Sequence, residues 1–101
     1  ARYDDLGALA LLAEVPQEAA RGNADVAAIG RLSAAPDDLE TLEVYCAEGS
    51  VRRTAERLHL HHSSVARRIE RIGGELGVDL TAPAGSTRAR MALALWRLLD
   101  D

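Results

Sequence analysis

The segment of residues 49–76, GSVRRTAERLHLHHSSVARRIERIGGEL, limits what this chain can fold into more than any other part. Its apolar residues have the spacing of two short amphipathic helices joined by a turn of about three to four residues. Ala55 lies where two such helices would touch, a position that needs a small side chain. The apolar residues that would close a small core around the turn are Leu58, Leu60, Val65 and Ile69. This pattern, which starts at Val51, predicts a helix-turn-helix.

The residues left on the outside of this predicted motif are polar and mostly basic. They are Arg52, Arg53, His61, His62, Ser63, Ser64, Arg67, Arg68 and Arg71. Cationic and hydroxyl side chains are the groups that bind phosphate oxygens and base edges of nucleic acids. We therefore predict that this surface binds double-stranded DNA.

In a DNA-binding helix-turn-helix, the second helix enters the major groove and presents its amino-terminal residues to base edges. We accordingly expect Ser63 and Ser64 to contact bases or phosphates, and Arg67 or Arg68 to contact guanine. Two simpler alternatives stay open. The serines would then only cap the helix, and the arginines would form an ordinary solvated helix surface.

The other arginines of the segment have different expected roles. Arg52 and Arg53 begin the first predicted helix and are expected to contact phosphates. Arg57 is expected to pair with an acid such as Glu48. For Arg71 two roles stay open: a contact with the DNA backbone, and an ion pair with the acid four residues later.

The charge is distributed unevenly along the chain. The formal net charge is −4, which by itself argues against a nucleic-acid binder. However, residues 1–49 carry three Arg and ten acids, a balance of −7, whereas residues 50–101 carry nine Arg and six acids, a balance of +3. Because phosphate contacts are local, this asymmetry predicts one DNA-facing side.

The whole chain has helical periodicity, so we predict an all-α fold: a compact bundle of about five to six helices containing the helix-turn-helix. The predicted helices cover about 4–15, about 25–34, from near 36–38 to 48, about 51–58, from near 62 to 72 or 76, and from the cap at 86 to 99, with a loop through 22 and 23 after the first helix. Pro36 and the acids after it start the third helix, Gly49 ends it, and Ser50 and Ser86 are expected caps. The expected inward residues include Leu6, Leu9, Leu12, Ala13, Val26, Ile29, Leu32, Leu39, Leu42, Tyr45, Cys46, Ile72, Leu76, Met91, Leu95, Trp96 and Leu99.

Length and composition favour one hydrophobic core, since the chain has 101 residues and 48% hydrophobic content. Within the chain we expect two parts: residues 1–35 form an amino-terminal coupling or dimerisation segment, and residues 36–101 form a DNA-binding domain. The first residue is Ala1, which suggests a piece of a longer protein.

No catalytic or cofactor site is expected. The sequence has no nucleophile with a matching base and no metal motif, so we expect neither an enzyme nor a cofactor. His59, His61 and His62 lack the partners of a metal site and are assigned to the turn and to DNA contact. The single Cys46 allows no intrachain disulfide and favours the reducing cytoplasm, and no segment has the length of a membrane span.

Residues 39–99 resemble the C-terminal helix-turn-helix domain of PucR-type and sugar-diacid-type bacterial transcription regulators, which is related to the Fis-like class. The matching stretches are LETLEVYCAEGSVRRTAERLHLHHSSVARRIERIGGELG and RARMALALWRLL. The resemblance implies a DNA-binding output domain of a larger regulator whose sensory domain lies elsewhere. It also implies that 62–72 is the recognition helix, with Ser63, Ser64, Arg67 and Arg68 facing DNA. Two features depart from the family pattern: Gly73-Gly74 inside the helix, and Ser63-Ser64 where an Asn-Thr pair is usual.

The sequence is therefore compatible with two functions from different classes. The first is sequence-specific DNA binding as a homodimer, because one motif covers only a few base pairs. The second is a helical protein–protein interaction module in which the helix-turn-helix is architecture only. The acidic residues 1–49 would suit such docking.

Overall fold

The computed structural model describes residues 7–99, and within that range it contains helices and no strands. A 3₁₀ helix comes first and six α-helices follow. They are the 3₁₀ helix Gly7–Glu14, α1 Gln17–Arg21, α2 Ala24–Leu32, α3 Pro36–Glu48, α4 Val51–Leu58, α5 His62–Leu76 and α6 Pro83–Leu98. The predicted all-α class and the helix-turn-helix, α4–α5, are confirmed. None of the helices in the described part of the chain is long and apolar enough to cross a membrane.

The helix boundaries around the motif follow from local chemistry. Pro36 occupies the first turn of α3, where its missing N–H group is not needed. Gly49 ends this helix in the left-handed region at φ 84°, which glycine adopts without steric penalty. The side chain of Ser50 then accepts a hydrogen bond from the backbone N–H of Arg53 at 3.1 Å and caps α4. These predicted boundaries are confirmed.

A single apolar cluster holds the helices together. Ile29 and Leu32 of α2, Leu42 of α3 and Ile69 of α5 are at most 4% exposed and belong to the same cluster. Tyr45 extends the cluster to the loop after α5, because its hydroxyl donates to the carbonyl oxygen of Leu80 at 3.1 Å. α2 packs directly on α5 and α6. The hydrophobic core therefore includes residues from both sides of the expected boundary between 1–35 and 36–101.

The amino-terminal part differs from the predicted helix 4–15. Residues 4–6, including the expected inward Leu6, lie outside the described residues, and Gly7–Glu14 forms a 3₁₀ helix with no buried residue. Leu9, expected to face inward, is 57% exposed, and Ala13 is also exposed. The segment is apolar on all sides, so its sequence does not select one buried face. Residues 17–21, expected as loop, form the short helix α1.

The last helix is rotated relative to its predicted face. It begins at Pro83, not after Ser86, whose N–H group bonds to the Ala82 carbonyl oxygen at 2.9 Å inside the first turn. Met91, expected inward, is 45% exposed, and Leu95, Trp96 and Leu99 are only half-buried. The buried residues are Gly85, Ala89, Ala92 and Leu93.

A close backbone contact lies at the start of this helix. A Cβ atom at Gly85 would collide with the backbone carbonyl of Asp79. α6 therefore lies directly against the chain at Asp79, and three of its four buried residues are small.

The two glycines inside α5 have different surroundings. The helix continues through both to Leu76 and ends at Gly77, whose φ is 76°. A Cβ on the buried Gly73 would lie 2.7 Å from the carbonyl oxygen of Val78, so the returning chain requires glycine there. Gly74 has no atom within 4 Å of its would-be Cβ, and nothing within the described fold requires glycine at that position.

Candidate nucleic-acid interface

The α4–α5 pair has the packing expected of a helix-turn-helix. Ala55 is 4% exposed, and Val65 and Ile69 are at most 2% exposed. The turn starts at His59, in the left-handed region at φ 58°, and closes when the Leu60 N–H group bonds to the Ala55 carbonyl oxygen at 2.9 Å. The prediction that Leu60 belongs to the motif's core is wrong, since its side chain lies on this tight turn and stays 38% exposed.

His61, not a serine, caps the amino terminus of α5. Its Nδ1 accepts a hydrogen bond from the backbone N–H of Ser63 at 3.2 Å and lies 2.8 Å from the Ser63 hydroxyl. The accepting Nδ1 has no proton in this arrangement. The His61 and His62 rings stack with centroids 4.5 Å apart, and both residues are exposed. Sequence reasoning missed this cap because Ser, Thr, Asp and Asn are the usual N-cap residues.

The serines therefore do not act as side-chain caps of α5. Both Ser63 and Ser64 are half-buried, at the first turn of the helix, where backbone N–H groups and the helix dipole attract anions. Ser63 and Arg67 lie one turn apart on the side of the helix away from the buried Val65 and Ile69. This side of α5 can offer hydroxyl and guanidinium donors to one ligand surface.

The arginines of the motif fall into two groups. Arg52, Arg53 and Arg67 are exposed, and within residues 7–99 they have no hydrogen bond or ion pair through their side chains. Arg68 and Arg71 are instead tied to α3. This first group provides three exposed positive charges for an anionic partner.

Arg57 has the partner suggested by its sequence position. Its Nη1 lies 3.0 Å from Oε2 of Glu48 at the end of α3. This exposed pair joins the first helix of the motif to the helix before it.

Arg71 pairs with Asp38, and not with Glu75, which was one of the two partners left open by the sequence. Its Nη1 and Nη2 donate to the two carboxylate oxygens of Asp38 at 2.7 and 2.9 Å, a bidentate geometry. The partner lies 33 residues earlier, in the first turn of α3. Asp38 was interpreted only as a helix-start signal because no sequence spacing relates residues so far apart.

Arg68 is held by the next turn of α3. Its Nη1 donates to Oγ1 of Thr41 at 2.9 Å, and the same hydroxyl donates to the Asp37 carbonyl oxygen at 2.8 Å. Thr41 is fully buried and was not recognised in the sequence. Its buried hydroxyl keeps two partners, and Arg68 is thereby fixed along the flank of α5 nearest α3.

The Asp38–Arg71 pair also changes the acidity of both groups. The hydrogen bonds to Arg71 lower the pKa of Asp38 below its ordinary value, although burial opposes this. The same hydrogen bonds raise the pKa of Arg71. Both shifts favour the charged forms, so the pair is ionised at neutral pH.

We expect this pair to contribute an acid-sensitive part of the fold's stability. The folded-state pKa of Asp38 is lowered, so its contribution is present above the unfolded-state value of about 4 and is lost as pH falls through the folded-state value. Urea unfolding from neutral pH down to about pH 3 should show a smaller loss of unfolding free energy for Asp38→Asn than for the wild type. Equal losses in the two proteins would contradict this assignment.

The histidines and Cys46 are not assembled into a metal site. Within residues 7–99, no three His, Cys, Asp or Glu side chains are placed to hold one ion together. Cys46 is half-buried in the α3 face, and burial raises the pKa of its thiol.

Comparison with known proteins gives one family. The model of the PucR C-terminal helix-turn-helix domain matches residues 38–95, more than half of the chain. A protein of Thermomonospora curvata, described as "Uncharacterized protein in pkwA 5'region", is 47% identical over 62 residues. That match covers 60% of this chain and 33% of the relative, so the chain spans about a third of the relative's length. No solved structure matches significantly.

Proposed function

The chain belongs to the PucR C-terminal helix-turn-helix family, and we propose that it is the sequence-specific DNA-binding output domain of a bacterial transcription regulator. In this proposal residues 62–72 of α5 enter the major groove, and α4 crosses the phosphate backbone. The observation that carries it is a set of exposed arginines, without side-chain partners among residues 7–99, on the outer side of a packed helix-turn-helix. The proposed DNA-binding residues are Arg52, Arg53, His61, His62, Ser63, Ser64, Arg67, Arg68 and Arg71.

Different residues in this set have different proposed tasks. Arg67 lies on the outer side of α5, and a guanidinium there can donate two hydrogen bonds to O6 and N7 of guanine. Arg52 and Arg53 begin α4 and would contact phosphates, which fix the orientation of the domain but carry no sequence information. The first turn of α5 would bind a further phosphate or a base edge through Ser63 and Ser64.

We also propose that the domain works as a homodimer attached to a sensory domain of the same protein and located in the cytoplasm. Two motifs about 34 Å apart read two half-sites on one side of the duplex, which gives the specificity that a single motif lacks. A bacterial DNA-binding regulator meets its operator in the cytoplasm. No enzymatic activity is proposed.

One observation favours a second function, a protein–protein interaction module. Most of the exposed large apolar side chains in the described range lie on the 3₁₀ helix and α6, away from the motif: Leu9, Leu11, Met91 and Leu98. Exposed apolar groups of this kind are typical of contact surfaces. This surface and the arginines are on different elements, so the two functions can coexist.

The deciding experiment is a fluorescence-anisotropy titration of the protein with a random-sequence duplex at about 50 and 200 mM salt. Each neutralised phosphate contributes about −0.9 to the log–log salt slope, so three contacts predict a loss of roughly 40-fold over this range. Replacing Arg52 and Arg53 together by alanine should remove much of that dependence. The matched control replaces the exposed Arg31 and Arg90, which lie on α2 and α6.

The two functions give different outcomes in this titration. Steeply salt-dependent binding that only the Arg52/Arg53 variant loses would support the DNA-binding function. Absence of binding at 50 mM salt would overturn it and favour the interaction module. An equal effect of the control variant would mean that net charge, not this surface, causes the binding.

A further inference from the structure

We propose that Asp38 is a positioning residue that limits non-specific DNA binding by holding the guanidinium of Arg71 against α3. This inference rests on the proposed DNA-binding function and adds a determinant of selectivity to it. Asp38 itself lies outside the helix-turn-helix, in the first turn of the preceding helix.

The first support is the geometry of the pair. Both carboxylate oxygens of Asp38 accept hydrogen bonds from Arg71, at 2.7 and 2.9 Å, and Asp38 is 8% exposed. The Arg71 side chain is 51% exposed. The carboxylate is thus shielded within the protein, while about half of the Arg71 side chain is exposed to solvent.

The second support is the contrast among the three arginines of α5. Arg71 and Arg68 are tied to Asp38 and Thr41, both on α3. Arg67 has no such tie among the described residues. The same helix therefore carries two arginines that are bonded to α3 and one whose guanidinium has no partner among the described residues.

Non-specific binding depends on how many mobile positive charges can approach phosphates, because the energy comes from counterion release. The carboxylate of Asp38 neutralises the charge of Arg71 in the free protein, so Arg71 adds little to this term. A guanidinium has five N–H donors, and the bidentate pair uses two of them. The remaining N–H donors of Arg71 are held in a fixed position. They can therefore bind a phosphate only when α5 lies at one particular position along the major groove.

The test measures the affinity of Asp38→Asn for a random-sequence duplex as a function of salt. Asparagine has nearly the same shape and keeps one oxygen to accept from Arg71, but it releases the charge of the guanidinium. We expect a salt slope steeper by up to about 0.9 and affinity at 50 mM salt that is roughly three- to tenfold tighter. A purely structural role for Asp38 would lower stability without changing the slope.

The chain offers a matched control in Asp25→Asn. Asp25 of α2 also accepts two hydrogen bonds from one arginine, Arg88 of α6, at 2.9 and 3.2 Å. Its replacement changes the net charge by the same amount, on a helix outside the helix-turn-helix. We expect the random-duplex affinity of this variant to stay within about twofold of the wild type, since Arg88 is not proposed to contact DNA.

Replacement of Arg71 gives an independent test that does not need Asp38→Asn to fold. With Asp38 present, Arg71→Gln should reduce the salt slope much less than Arg67→Gln does, although both remove one charge. In the Arg71→Gln background, Asp38→Asn should no longer tighten binding. Thermal melts by circular dichroism identify any variant that is not folded at the assay temperature.

The outcomes separate this inference from the proposed function. If the wild type binds DNA but Asp38→Asn leaves the slope unchanged, or if Asp25→Asn tightens binding as much, the inference is overturned and the function stands. Equal slope losses for Arg71→Gln and Arg67→Gln would also overturn it. If the wild type binds no duplex at 50 mM salt, the proposed function itself is wrong.

Discussion

Replacing Arg67 by alanine is expected to weaken binding to the operator by about 1–3 kcal/mol, or roughly 5- to 150-fold. Arg67 is exposed on the outer side of α5 and has no partner among the described residues, so its guanidinium is available for a bidentate contact with guanine. The operator would first be selected from a random pool of duplexes. Anisotropy titrations with that duplex and with random DNA then give the affinity and its specificity.

The control for this prediction is Arg67→Lys, which keeps the positive charge but removes the planar, two-pronged donor. We expect Arg67→Lys to retain most of the random-duplex affinity and to lose much of the preference for the operator. If lysine preserves the preference, Arg67 acts only as a charge, and another residue of α5 reads the base.

The largest expected effect on stability is that of Leu42→Ala. Leu42 is fully buried in the middle of α3, in the cluster shared by α2, α5 and α6. Removing a buried leucine side chain and leaving a cavity lowers the unfolding free energy by about 2–5 kcal/mol. Domains of this size have a total of about 5–15 kcal/mol, so urea unfolding followed by circular dichroism should show a much lower midpoint.

Leu11→Ala is the matched control, because it makes the same chemical change at a side chain that is 65% exposed. Its effect on the unfolding free energy should lie within about 0.5 kcal/mol. A large effect there would mean that the apolar surface of the 3₁₀ helix is covered in solution. A small effect of Leu42→Ala would contradict the packing of the core around α3.

The region from α3 to α5 could be predicted from the sequence almost to the residue. There the apolar spacing, the proline at the start of α3, the glycine at its end and the Ser50 cap all indicate the same boundaries. Local signals that agree with each other leave few alternative structures. The outer surface of the motif followed from the same periodicity, although its contact with DNA stays a prediction.

The ties between α3 and α5 could not be predicted, because they depend on how two helices approach in space. The sequence contains Asp38 and Arg71 but no signal that joins them, and helix spacing offered only Glu75 as an ion-pair partner for Arg71. The face of α6 was also missed. Gly85 lies against the backbone at Asp79, a contact that no periodicity encodes, and Met91 on the same helix stays 45% exposed.

The core that α2 shares with α5 and α6 has a consequence for how this domain tolerates change. The family match begins at residue 38, but Ile29 and Leu32 are as deeply buried as the apolar residues of the motif. A substitution at either position would reduce the fraction of molecules that are folded, while the proposed DNA-binding surface of each folded molecule would be unchanged. If the proposed function holds, the amount of bound DNA in a cell would then fall because less folded protein is present, and the dissociation constant of the folded protein would be unchanged.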